Sequence, residues 1–349
     1  TLFPYTTLFR SENKVAIIYG ETFASVLKKR PVTTESIVVL ANQRYYDLFS
    51  EKINYAFGEQ LGLNWYICRN DVHCNDLSEL ESVLRFLADW PENQDVLLIG
   101  LGNEGVLQLT AFLHQVSKCS SKCWLMPVSV QALRQGLLPS VTIQQAQHAT
   151  MHIENHSEEI LFDSTLTNKK GAAPLIDLLV FIRAGLVCDY AYLQMLYQTY
   201  PDKKRLNQTS FNGILDELLS LYEQAGEKVD QFGRVFEAAF ATTENGHLLS
   251  GPMKRLLGLL LQVLWSQQVN HFDFQFKNFI IWFIRLGFPV AFPKEILSAD
   301  YAEQVLAHTE TLGPPMVLEK IGQLGAALKP TPDQLLTTIE RYQEILKEI

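Results

Sequence analysis

Three groups of side chains in this chain have types and spacings that could do chemistry. Gly100, Gly102 and Gly105 follow an apolar run at residues 96–99 and precede a helical stretch. Glycines so placed let backbone amides approach a phosphate at a helix N-terminus. Glu104 stands inside the same loop and repels an anion, so a tight structural turn competes with nucleotide binding. His148, His152 and His156 recur every four residues, and on a helix they would share one face as metal ligands do. Residues 149–154 alternate in the manner of a strand, however, which would break that face apart. Cys119 and Cys123, in CSSKC, would meet across one helical turn as a redox pair; the competing reading is two unrelated thiols near a strand edge. No second pair completes a four-ligand zinc site, and the neighbours His73 and Cys74 diverge in either helix or strand. Arg183, Glu237, Lys254 and Arg255 are charges on otherwise apolar helices, read as solvated or paired faces. No nucleophile elbow, Walker loop or spaced carboxylate pair is present in the sequence.

These groups need elements to position them. Residues 14–19, 36–40, 64–68, 95–100 and 123–127 read as buried strands, with amphipathic helices at 44–61 and 76–90 between them. Strands alternating with helices imply a mostly parallel sheet covered on both faces, with ligands outside the carboxyl ends of the strands. Past Lys169, Lys170 and Gly171 the pattern turns helical, at residues 174–200, 210–224, 230–242, 252–268, 272–286 and 301–309. The expectation is an α/β Rossmann-like domain over residues 12–167 followed by an all-α domain over residues 168–349.

Composition narrows the function classes. The 349 residues are 47% hydrophobic and 19% charged, enough for a sizeable core over two domains. A net charge of −9 supplies no field for a phosphate backbone, so nucleic acid is not the expected partner. Five cysteines, an odd number, do not make a disulfide scaffold, and a cytoplasmic location is expected. The apolar runs at 256–265 and 279–283 fall short of the roughly 18 residues of a membrane span and read as core helices. Residues 1–11, TLFPYTTLFRS, match codon by codon the in-frame translation of a common sequencing adapter. We expect them to be adapter-derived and the true N-terminus to be missing. Removing eleven residues from 349 leaves 338, and the loss of Arg10 takes the net charge from −9 to −10.

The order of segments resembles the 3-dehydroquinate synthases. VLLIGLGNEGVLQLTAF, the strand ending at Pro127, ILFDSTL, the helix around Arg183–Leu186, FGRVFEAAF, LLSGPMKRLLG and RLGFPV fall in the sequence expected for that family, from residue 14 to 349. The resemblance implies a Rossmann-like domain and a helical domain. It also implies NAD, a divalent metal (usually zinc), homodimerisation and a shikimate-pathway cyclase reaction on 3-deoxy-arabino-heptulosonate 7-phosphate. Such a reaction needs a metal to polarise oxygens, a nicotinamide to borrow a hydride and cations to hold a phosphate.

Matched residue by residue, those demands fall on altered positions. The family's metal ligands are a glutamate in GLAEVIKYG and histidines in GHTFGHAIE and LHGEA. Here Val180 stands at the glutamate, Arg234 and Ala238 at the histidines of the second segment, and Ser250 at that of the third, with His247 as a displaced relic. The substrate segment keeps Pro127 and Thr142 but places Gln135 at its aspartate and Val141 at its lysine. The next lysine falls near His148, and a late DKK triplet becomes His308, Thr309 and Glu310. At the cofactor site, Gly102, Asn103 and Glu104 replace a triple glycine and Gln108 its acid. Val72 and Asn75 stand at a glutamate and a lysine, while Asn42 matches a nucleotide-facing residue. The sequence thus predicts NAD contacts, if any, at Asn42, Gly100, Gly102 and Gly105, and no metal site. It predicts a relative that has lost the cyclase activity and acts as a binding or partner protein. The alternative is an active cyclase or polyol dehydrogenase with ligands relocated to His148, His152, His156 or His247.

Overall fold

The structure is a computed structural model; it describes residues 5–9, 15–34, 36–58, 62–88, 90, 94–145, 148–167 and 171–349. Two compact units divide the chain at Thr1–Ala173 and Pro174–Ile349. Residues 168–170, at the boundary expected from composition, lie outside the described residues.

The first unit contains, in order, β1 (Tyr5–Phe9), β2 (Val15–Tyr19), α1 (Phe23–Lys29), β3 (Ser36–Asn42), α2 (Gln43–Phe57), β4 (Leu63–Cys68) and α3 (Leu77–Phe86). It continues with β5 (Asp95–Gly102), α4 (Glu104–Val116), β6 (Ser120–Pro127), α5 (Val130–Leu137), β7 (Ser140–Gln145), β8 (His148–Glu154) and β9 (Glu159–Phe162). Seven strands form one sheet in the order β1-β2-β9-β6-β5-β3-β4. The six from β2 to β4 are parallel, and β1, from the segment expected to be adapter-derived, adds antiparallel to β2. The central strands are nearly continuous apolar runs, SIVVLAN in β3 and DVLLIGLG in β5, because parallel strands are buried on both faces. One face packs Ile37, Val39, Ala41, Leu97, Ile99 and Leu101 against Phe23, Val26 and Ile53 of α1 and α2. By alternation, Val38, Leu40, Val96 and Leu98 point to the opposite face, and α4 packs on β5 and β6.

Chain direction creates a switch point in this sheet. From β3 the chain runs outward to edge strand β4; from β5, on the other side of β3, it runs inward to β6. Connections leaving neighbouring strands in opposite senses open a crevice at their carboxyl ends, where open α/β sheets bind ligands. Asn42 ends β3 and Gly102 ends β5, so both stand at that crevice.

The second unit is helical: α6 (Ala173–Cys188), α7 (Tyr190–Thr199), α8 (Lys203–Gln208), α9 (Leu215–Gln231), α10 (Arg234–Thr242), α11 (Gly251–Asn270), α12 (Phe276–Leu286), α13 (Ser298–Leu312) and α14 (Pro332–Lys347). One antiparallel hairpin, β10 (Met316–Lys320) and β11 (Gln323–Ala327), interrupts it. The single helix expected over residues 174–200 is two. Asp189 accepts from the Ala191 and Tyr192 amides and starts α7 afresh. No helix among the described residues is long and apolar enough to cross a membrane.

Candidate functional site

The glycine turn between β5 and α4 is built by close approach. A Cβ on Gly100 would lie 2.6 Å from Thr110 Oγ1, so glycine there lets α4 lie flat on the sheet. A Cβ on Gly102 would lie 2.9 Å from Asn42 Oδ1 and 2.9 Å from Val106 Cβ. The structure therefore brings Asn42, Gly102 and Gly105 together at the crevice and leaves Gly100 beneath the helix.

A helix N-terminus offers its first amides to an anion only while they are free. Here three are engaged by the chain itself. The Asn103 amide donates to Asn42 Oδ1 at 3.4 Å, the Gly105 amide to the Val72 carbonyl at 2.9 Å and the Val106 amide to Asn103 Oδ1 at 3.4 Å. Val72 belongs to a strap, residues 69–75, that crosses the first turn of α4. A Cβ on Gly105 would meet Val72 O at 2.6 Å and the Cys74 amide nitrogen at 2.7 Å, so strap backbone fills the space over that glycine. Glu104 in the first turn complements the helix dipole with protein charge. In this arrangement the turn presents a carbonyl and a carboxylate, and the residues present do not fit a pyrophosphate.

Side chains of unexpected types hold the strap. Asn42, fully buried, donates from Nδ2 to the Arg69 carbonyl at 2.8 Å, and Asn103 Nδ2 donates to the Asp71 carbonyl at 3.0 Å. Arg69 Nε donates to Glu79 Oε2 at 2.7 Å, and its Nη2 pairs with Asp76. Burial works to raise the Asp76 carboxyl, but hydrogen bonds from Arg69, the Glu79 amide and Ser78 outweigh it and hold the group below its ordinary range. At the strap's end, Asn75 Nδ2 donates to the Thr142 carbonyl at 2.8 Å, and the Thr142 amide donates to Gln108 Oε1 at 2.5 Å. Asn75 and Gln108, matched to a family lysine and acid, serve here as backbone clamps. Sequence reasoning missed the strap because its blocking groups are backbone carbonyls, which leave no residue-type signature.

The expected alternative ligands are scattered. β8 is a strand, so His148 and His152 are four extended residues apart, about 13 Å at 3.3 Å per residue. The His148 side chain lies outside the described residues; His152 and His156 are exposed, and His156 Nε2 is 3.6 Å from Glu154. The Cys119–Cys123 redox reading is corrected for the same reason. Residues 120–127 are strand β6, and extension carries the two thiols apart. Val141, at the matched lysine, is fully buried.

In the second unit Val180 is buried in α6, Arg234 is exposed at the start of α10 and Ala238 is half-buried. Ser250 caps α11, accepting from the Met253 amide at 3.4 Å, and His247 is exposed in a short 3-10 turn. Arg183 is buried and paired: Nη2 lies 3.3 Å from Asp230 Oδ1, and burial lowers the guanidinium's pKa. Arg255 Nε pairs with Glu237 at 3.3 Å. Both arginines thus match the paired-face reading. Among the described residues no group of three or more His, Cys, Asp or Glu side chains is arranged to share a metal ion.

Neither a family model nor a curated protein sequence matches this chain. Solved structures do. A 2-deoxy-scyllo-inosose synthase complexed with carbaglucose-6-phosphate, NAD+ and Co2+ superposes at a TM-score of 0.74 with 9% identity, over 97% of this chain and 99% of that one. A 2-epi-5-epi-valiolone synthase from Streptomyces hygroscopicus subsp. jinggangensis 5008, with NAD+ and Zn2+ bound, superposes at 0.75 with 11% identity, over 98% and 99%. Maleylacetate reductase from Agrobacterium tumefaciens superposes at 0.65 with 11% identity, over 97% and 98%. The chain has the fold shared by these sugar phosphate cyclases and this reductase. At such identities the likeness speaks of fold, and function has to be argued from the site.

Proposed function

We propose that this chain is a divergent relative of the 3-dehydroquinate synthases that keeps their fold, has set aside the metal- and NAD-dependent cyclase chemistry, and works in the cytoplasm as a non-catalytic binding or partner protein, expected as a homodimer. The observation that carries this reading is the set of side chains at the matched ligand positions: buried Val180, exposed Arg234, half-buried Ala238, and Ser250 whose hydroxyl caps a helix. Zinc takes imidazole, thiolate or carboxylate, and none of the four offers one. The residues at these positions do not fit the metal, so no reaction step is assigned to it. The strapped glycine turn supports the same reading for the nucleotide, since the Asn42 side chain and the Gly105 amide spend their contacts on residues 69–75.

A second reading, an active cyclase or polyol dehydrogenase with relocated ligands, draws on the NAD+ with Co2+ or Zn2+ held by two structures of the same fold. It requires imidazoles to converge, and the extended β8 opposes that for His148 and His152. Incubating the purified chain with 3-deoxy-arabino-heptulosonate 7-phosphate, NAD+ and Zn2+ or Co2+ tests the two. We expect no phosphate release above the protein-free rate; sustained phosphate release with formation of 3-dehydroquinate would overturn the proposal.

A further inference from the structure

Two thiols lie at the two ends of the strap, one at the end of β4 and one just ahead of α3. Cys68 closes β4 and is paired in register with Asn42 of β3, so the two side chains share a face of the sheet. Cys74, at the far end of the crossing, has its Sγ 3.9 Å from Asn42 Nδ2. Asn42 is thus flanked by both cysteines, Cys68 beside it in register and Cys74 Sγ against its side-chain amide. Both are fully buried, while residues 69–73 between them are exposed. Elsewhere, Cys123 is buried in β6 and Cys188 is half-buried at the end of α6, its thiol pushed up to about 11 by burial.

We propose that Cys68 and Cys74 form an oxidation site, a dithiol that a hydroperoxide converts into an intramolecular disulfide, tying the strap down across the first turn of α4. The chemistry balances in two steps. One sulfur attacks the peroxide, the O–O bond breaks, the sulfur keeps one oxygen as a sulfenic acid, and water (or an alcohol) leaves. The second sulfur then displaces the hydroxyl as water, forming the S–S bond; two S–H protons and two electrons have passed to the peroxide. Both sulfurs start beside the Asn42 side chain and close to about 2.05 Å in the disulfide. A disulfide here encloses seven residues, 68–74, whose middle carries the Val72 carbonyl that occupies the Gly105 amide. Oxidation holds that carbonyl in place, and reduction lets it leave.

Access sets the rate. The thiols are reached when the strap lifts, and its ties are the Arg69 pairs with Glu79 and Asp76 and the Asn42 and Asn103 bonds to its carbonyls. The Cys74 thiol beside it and burial push the Cys68 thiol up, which keeps it protonated while the strap is closed.

The test uses the full chain treated with hydrogen peroxide at neutral pH, alkylated after unfolding and mapped by peptide mass spectrometry. The expected product is a Cys68–Cys74 crosslink about 2 Da lighter than the dithiol, formed ahead of any other cysteine product and reversed by dithiothreitol. Cys68→Ser abolishes it, Arg69→Gln speeds its formation severalfold, and hydrogen exchange at the Gly105 amide slows in the oxidised wild type. Oxidation confined to Cys188, or Cys68 and Cys74 both alkylated in full after treatment, would overturn the assignment; so would a crosslink that leaves Gly105 exchange unchanged.

Discussion

Gly105→Ala separates a strap that rests on α4 from one that does not. Within a helix, alanine is favoured over glycine by at most about 1 kcal/mol, so with open space above it the substitution would be neutral or stabilising. The new Cβ instead meets Val72 O at 2.6 Å, the Cys74 nitrogen at 2.7 Å and Cys74 Sγ at 2.9 Å. Two of these are backbone atoms and cannot rotate away. Overpacking of this kind costs about 1–3 kcal/mol, and moving Val72 gives up its hydrogen bond from Gly105, worth about 1 kcal/mol. The clash outweighs the propensity gain, for a net loss of about 2 kcal/mol. For a unit of this size that is about 4–8 °C in the melting temperature of the first unit. Gly62→Ala, in the same unit with nothing within 4 Å of the added Cβ, is the control and changes little. Thermal unfolding followed by circular dichroism, with exchange at the Asn103, Gly105 and Val106 amides, measures both. An alanine at 105 that stabilises the protein and leaves those amides equally protected would refute the closed strap.

Other outcomes follow from the buried charges. Arg183→Ala takes the guanidinium away from Asp230, and breaking a buried pair costs about 3–5 kcal/mol; as Asp230 is partly exposed, we expect about 3 kcal/mol in urea unfolding of the second unit, and clearly less for Arg183→Met, which fills the volume. A loss within about 0.5 kcal/mol for the alanine variant would mean the pair is not formed. His114, mainly through burial, has its imidazole pKa held below the usual value of about 6.5, with Glu158, His156 and the Ser121 hydroxyl facing it. The folded state therefore resists a proton that the unfolded chain accepts. Its contribution is present above about pH 6.5 and is lost as pH falls below that toward the folded value. Melting temperatures from about pH 7.5 to about pH 5.5 should fall less steeply for His114→Gln than for the wild type; parallel profiles would contradict the shift.

The sheet is legible in the sequence wherever burial on both faces writes an unbroken apolar run. Residues 36–40 and 95–100 each fall inside the strands observed, and β3 and β5 extend further because Asn42 and Gly102 pair in register despite lacking apolar side chains. The helical spacing after residue 171 is equally plain, whereas β10 and β11, with Leu324 the one large apolar side chain in QLGAA, carry little strand pattern. Periodicity leaves the three histidines open between helix and strand; pairing between β7 and β8 decides it for His148 and His152, and His156 follows the strand. At the site, the types of Asn42, Gly102 and Gly105 suggest a nucleotide turn, but whether its amides are free depends on where the Val72 carbonyl lies. That is a tertiary fact, held by Arg69, Asn42 and Asn103, and none of those residues announces it locally.

The central claim is that this fold persists here without its metal and nucleotide. Calorimetric titration of the reduced, metal-stripped chain with Zn2+ and then with NAD+ bears on it most directly. The account predicts no saturable one-to-one binding of either, with any affinity weaker than about 1 mM. One equivalent of Zn2+ and one of NAD+ binding in the micromolar range would contradict it.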